Sequence, residues 1–185
     1  METVTSYLSQ RSQFTKITPL PPTLSRTAAV DLLHNHAEII RLNPLIVDFK
    51  RIPKPERAPD DEAHYTWYEM TDKITYLPGL TRNVTYTGAF LDMPEGVKTH
   101  VYAPAGLEIR ERWSVCDGSE AVRKDDSGNA GRSDSQSSAH GHSGLILCED
   151  IDMTCNILLA AFVKKQLHAA HAVLTRRLMG VDQDK

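Results

Sequence analysis

The chain has 185 residues, 41% of them hydrophobic and 24% charged, with a formal net charge of −3. A sequence pI near 6.2 gives no electrostatic reason to expect nucleic acid or an anionic membrane surface as a partner. No apolar run approaches the length needed to span a bilayer, so integral membrane association through a helix is not expected. The length fits one domain with a sizeable core. METVTSYLSQRSQ carries no apolar signal core, and Cys116, Cys148 and Cys155 lack metal-ligand spacing. The odd number of cysteines and the absent signal favour reduced thiols in the cytoplasm.

Residues 1–12 are polar and read as a flexible N-terminus. Phe14 to Thr18 alternates at period two, the mark of a strand, and Pro19, Pro21 and Pro22 end it. From Ser25, residues Val30, Leu33, Ala37 and Ile40 recur at helical spacing. Leu32 and Ile39 fall off that stripe, which predicts two short helices hinged near His34-Asn35-His36. Asn43-Pro44 stops the pattern, because a residue before proline disfavours the α region. Leu45 to Ile52 reads as the second strand. The loop from Pro53 to Glu62, with its prolines and charges, is expected to be exposed and polar. Ala63 to Met70 forms the third strand, continuing past a bend at Thr71-Asp72 through Leu77. Pro78-Gly79, Pro94-Glu95-Gly96 and Pro104-Ala105-Gly106 mark turns. Around them lie strands at Arg82–Leu91, Val97–Ala103 and Leu107–Val115, spaced as an antiparallel meander.

Residues 117–144 hold almost no apolar side chain. Such a stretch cannot offset the entropy of ordering it, so it reads as a disordered insertion between two paired strands. Leu145 to Met153 is the last strand. Asn156 to Met179 is one uninterrupted helical pattern with Thr154 as its cap, and 181–185 reads as a flexible C-terminus. Leu159, Phe162, Val163, Leu167, Ala170, Val173, Leu174 and Leu178 share one broad arc of that helix. At about 1.5 Å per residue the helix is roughly 36 Å long and needs a partner surface of similar length. The predicted class is α+β: about seven antiparallel strands in a curved sheet, two short helices after the first strand, and the long C-terminal helix over the sheet.

That element order, the Leu42-Asn43-Pro44-Leu45 approach to the second strand and the closing helix resemble the START-related, pollen-allergen-type helix-grip superfamily, which includes polyketide cyclases. The resemblance covers residues 13–180 as one START-like domain, the insertion aside. A cystatin-like fold also wraps a sheet around a helix, but there the main helix comes first. The block from His34-Asn35-His36 to Asn43-Pro44-Leu45, with Thr99-His100-Val101-Tyr102-Ala103-Pro104-Ala105-Gly106-Leu107, is also similar to a family of small, functionally uncharacterised fungal proteins. What the helix-grip resemblance implies is a hydrophobic cavity between sheet and helix, taking a lipid, sterol or polyketide-like molecule. It implies no particular reaction. The residues expected to line that cavity are Tyr86, Phe90, Ile109, Trp113, Leu147, Ile151, Leu159, Phe162, Val163, Gln166, Leu167, Ala170 and Leu174.

No phosphate loop, nucleophile elbow or paired metal-ligand motif is present in the sequence, and no cofactor is expected. Leu107, Ile109, Glu111, Trp113 and Val115 form one strand face, and Leu145, Leu147, Glu149, Ile151 and Met153 another. Each row is apolar except for one glutamate. A register with Trp113 opposite Leu147 sets Glu111 opposite Glu149. Two carboxyls in an apolar cavity raise one pKa, which suits a general acid or base. The alternative is a different register, or a cation such as Arg110 or Arg112 beside them. His171, at the edge of the helix arc, is the third acid–base candidate, or else a hydrogen-bonded core residue. His168 should be solvated. His34 and His36 diverge by about 200° on a helix and cannot share one ion with His64 or His100, so no metal site is expected. His100 shares a face with Lys98 and Tyr102 and is expected on the outer surface. Tyr65 and Trp67, or alternatively Tyr68, should face inward. Three classes of function stay open: a binder of small hydrophobic molecules, a cyclase- or isomerase-type enzyme using Glu149, Glu111 or His171, and a scaffold whose side chains fill its own cavity. Protein partners are not legible.

Overall fold

The computed structural model describes residues 9–77, 79–118 and 144–179. Most of the expected insertion at 117–144, and the expected tails outside 9–179, lie beyond these residues. The strands are β1 (Ser9–Pro19), β2 (Ile46–Ile52), β3 (Thr66–Leu77), β4 (Leu80–Met93), β5 (Gly96–Ala103), β6 (Leu107–Asp117) and β7 (Leu145–Asn156). Helices α1 (Arg26–His34) and α2 (His36–Ile40) follow β1, and α3 (Ile157–Leu178) closes the chain. All seven strands form one antiparallel sheet in the order β1-β7-β6-β5-β4-β3-β2. This is the α+β helix-grip arrangement, with the longest helix last.

Local chemistry explains the boundaries. Ser25 caps α1 by accepting from the Ala28 N–H at 3.1 Å. Asn35 ends α1 and starts α2: its N–H bonds to Asp31 and Leu32, and its side chain accepts from the Glu38 N–H at 3.3 Å. The hinge expected near His34-Asn35-His36 is therefore a single shared cap. Gly96 opens β5 where a Cβ would lie 1.9 Å from the Trp113 carbonyl oxygen, so only glycine lets β5 and β6 approach there.

Several boundaries differ from the sequence reading. β1 begins at Ser9, so residues 9–12 belong to the sheet, held by Arg11 and Gln13 on Asp152. β3 runs unbroken through Thr71-Asp72. β7 extends to Asn156, so Thr154 and Asn156 are strand residues and the helix starts one residue later. The Pro53–Glu62 loop is not wholly exposed. Glu62 is only 6% exposed, on the outer face of the sheet, because His100 and Tyr102 give it partners.

Helix α3 packs on β1 and β7. Toward its C-terminus, Leu174 and Leu178 share a buried cluster with Leu33, Val115 and Leu147. Nearer its start, Ala160 and Val163 join Ile109, Ile151 and Met153. The space left between α3 and strands β3–β6 is the cavity.

Candidate functional site

The cavity measures about 650 Å³. Met70, Val84, Val101 and Leu107 wall it from the sheet, and Ile39, Ile40 and Leu42 close it from α2 and the residues beyond. Tyr86, Phe90, Ile109, Trp113, Leu159, Phe162, Val163, Gln166, Leu167 and Ala170 stand on its wall. Leu147, Ile151 and Leu174, also expected there, do not. They are buried in packed core, because β7 lies directly under α3 and leaves no gap. The inner face of β6 supplies four of the wall residues, Leu107, Ile109, Glu111 and Trp113, by simple alternation.

The β6–β7 register differs from the expected one by two residues. Trp113 pairs with Glu149, and Glu111 with Ile151, so the two glutamates are diagonal neighbours rather than opposite each other. Glu111 reaches the cavity and takes a 3.1 Å hydrogen bond from the Thr99 hydroxyl. Burial and then repulsion from Glu149 push its carboxyl up to about 7, against smaller opposing effects of Thr99, the nearby Trp113 indole and Lys16. The indole N–H itself makes no hydrogen bond of good geometry. Lys16, opposite Glu149 in the β1–β7 register, forms no ion pair with either glutamate. Its burial lowers its pKa, and both carboxylates pull it back up.

Glu149 lies behind the wall, fully buried, and is not part of the lining. Its Oε2 accepts from His171 Nδ1, while Oε1 has no hydrogen-bond partner among the described residues. His171 Nε2 meets the Thr18 hydroxyl at 2.9 Å, and its ring stacks on Trp113 at 5.8 Å between centroids. The basic group beside Glu149 is therefore the helix histidine, not Arg110 or Arg112, which pair outward with Glu108 and Glu95. Of the three acid–base candidates only Glu111 touches the cavity.

A second polar station was not legible in the sequence. Asp72 on β3, only 8% exposed, lines the cavity beside Asn43 and Tyr86. Asn43 Nδ2 donates to both Asp72 oxygens, at 3.1 and 2.9 Å, and Tyr86 donates to Oδ1 at 2.9 Å. Asn43 Oδ1 accepts from the Leu45 N–H at 3.0 Å, fixing the amide's orientation. Burial raises the Asp72 pKa, and the Asn43 and Tyr86 hydrogen bonds oppose it. Burial and the adjacent Asp72 push the Tyr86 phenol up. One signal could have found Asp72: it continues the alternation Tyr68, Met70, Asp72, Ile74 once β3 is taken as unbroken.

The remaining candidates scatter. Tyr68 faces inward, edge-on to Phe90 at 5.3 Å, whereas Trp67 stacks on Tyr102 and Tyr65 lines an outer hollow. His36 bonds Tyr68 at 3.2 Å and Asp92 at 2.9 Å, while His34 donates to the Met93 and Gly96 carbonyls, each at 3.0 Å. His168 is exposed against Phe14. His100 is on the outer face, as expected, yet only 4% exposed, between Glu62 at 2.5 Å and Glu108 at 2.8 Å. Among the described residues no group of three or more His, Cys, Asp or Glu side chains is placed to hold a metal ion. No helix among them is long and apolar enough to cross a membrane.

The fold is similar to the crystal structure of Ara h 8.0201, at 8% identity and a TM-score of 0.53, over 93% of this chain and 99% of that one. TTHA0849 from Thermus thermophilus superposes at 8% identity and a TM-score of 0.49, over 94% of this chain and 100% of that one. The di-domain ARO/CYC BexL from the BE-7585A biosynthetic pathway does so at 12% identity and a TM-score of 0.45, over 94% of this chain but 48% of BexL. No curated protein matches the sequence. Residues 9–183 match the domain of unknown function DUF7053, and the chain belongs to that family.

Proposed function

We propose that the protein binds a small hydrophobic molecule, of lipid, sterol or polyketide-like character, in the cavity under α3. The observation that carries this reading is the cavity itself: about 650 Å³ with a mainly apolar wall and a few polar groups. Binding sites for small molecules have this size and this mix, the polar groups fixing orientation. The scaffold reading needs the protein's own side chains to fill that space, and the volume left open speaks against it.

A second reading is supported by Glu111 alone. A carboxyl with a pKa of about 7 on the wall of an apolar cavity suits proton transfer at neutral pH, as a cyclase- or isomerase-type reaction requires. Glu149 and His171 serve it only indirectly, by setting the charge behind Glu111.

Native mass spectrometry of protein purified from its own host tests the binding reading, with displacement of an apolar fluorescent dye as the second measurement. We expect a co-purifying hydrophobic mass, or dye binding that a hydrophobic competitor reverses. A protein that carries nothing and binds no dye is a scaffold. Turnover of a bound molecule that disappears in Glu111→Gln, while that molecule still binds, would favour the enzyme.

A further inference from the structure

The charge on the cavity wall is one-sided. Among the described residues that line it, Asp72 and Glu111 are acidic and none is Lys, Arg or His. Glu111 has Lys16 close enough to favour its ionised form. Asp72 has no such neighbour: its partners are the neutral Asn43 amide and Tyr86 phenol, and it forms no ion pair among the described residues. An ionised carboxylate has about four acceptor sites and no donor. Tyr86 and Asn43 both donate to Oδ1, but only Asn43 donates to Oδ2. At least one acceptor position of this cavity-lining carboxylate is therefore left without a donor among the described residues. The group that meets it must donate a hydrogen bond, and a cation there also offsets the charge that burial makes costly.

From this geometry we propose that the cavity takes an apolar molecule bearing a protonated amine, with the ammonium on Asp72 Oδ2 and the hydrocarbon along the β4–β6 wall and α3. An anionic head group, such as a fatty-acid carboxylate, would meet acceptors and like charge at Asp72. A neutral alcohol would satisfy the acceptor and leave the charge uncompensated. Between the strands that carry Asp72 and Glu111 stand β4 and β5, so roughly 14 Å of sheet separates the two strands. Glu111 is thus free to face another part of the same molecule.

This inference rests on the cavity being a binding site, and one experiment separates the two. Decylamine, decanol and decanoate share a tail and differ in the head. Each is titrated at neutral pH, below its aggregation concentration, against protein loaded with an apolar fluorescent dye. We expect decylamine to displace the dye at about tenfold lower concentration than decanol, with decanoate weakest. In Asp72→Asn, which keeps the shape and removes the charge, the gap between amine and alcohol should close. A urea melt confirms that the variant is folded, and the wild-type ranking stands without it. Decanol equal to decylamine, decanoate ahead of either, or an amine preference that survives in folded Asp72→Asn would each overturn the proposal while leaving the cavity as a binding site. A wild-type protein that binds no dye overturns both.

Discussion

Glu111 holds its proton up to about pH 7 in the folded chain, against an ordinary glutamate value of 4.5. Between those values the folded state binds a proton that the unfolded state has released. Stability therefore falls as pH rises through that window, and the loss is complete above it. Glu111→Gln removes this penalty without changing shape. We expect the variant to match wild type near pH 4 and to be more stable at pH 8 by roughly 3 kcal/mol. Urea melts at the two pH values check this, and an offset that does not change with pH would sink it. Glu149 is the opposite case, a buried carboxylate with a histidine of its own. Glu149→Gln leaves His171 without that partner and should cost about 3 kcal/mol. Because Glu149 is the second cause of the Glu111 shift, the same substitution should lower the Glu111 pKa. A carboxyl-carbon NMR titration reads that directly, and an unmoved Glu111 would show that burial acts alone.

Asn35 serves two helices, α1 through its backbone N–H and α2 through its side chain, so a side-chain substitution removes only the α2 cap. Asn35→Ala should lower stability by about 1 kcal/mol, the usual cost of a lost cap, seen as an earlier urea midpoint with an unchanged slope. A shift within error would mean that the α1–α2 bend holds without that cap. Such elements were legible because their signals are local: alternation in the strands, Pro and Gly at the turns, and the long apolar arc of α3. The inward faces of β6 and β7 could be read for the same reason. Their register could not. A slip of two residues preserves both faces, so the apolar pattern cannot distinguish the two pairings, and with β6 ending at Asp117 and β7 starting at Leu145 the sequence offers no short turn signal to fix it. Asp72 and Glu62 were missed for a different reason. A lone carboxylate reads as solvated unless its partners are known, and those partners lie elsewhere in the chain: Asn43 is 29 residues from Asp72, and His100 is 38 from Glu62.

At the scale of the whole molecule, a bound ligand becomes part of the core. A molecule that fills the cavity at a hundred times its Kd should add about 2.7 kcal/mol, because it binds the folded state alone. For a chain of this size that is a rise in Tm of about 5–10 °C, which a thermal melt with and without decylamine would detect. An unchanged Tm at a concentration that displaces the dye would mean that the dye sits elsewhere. The strand order has a further consequence, in the time it takes to build the sheet. Among the described residues β1 makes its sheet pairing with β7 alone, through contacts such as Arg11 to Asp152, 141 residues apart. During synthesis β1 emerges long before the strand it needs. Until then β1 and β6 each offer an unpaired edge, and pairing across so long a loop is slow. Until β7 emerges, the nascent chain therefore depends on avoiding wrong partners. β7 and α3 arrive last and do two things at once: they join β1 to the meander and cover its apolar face.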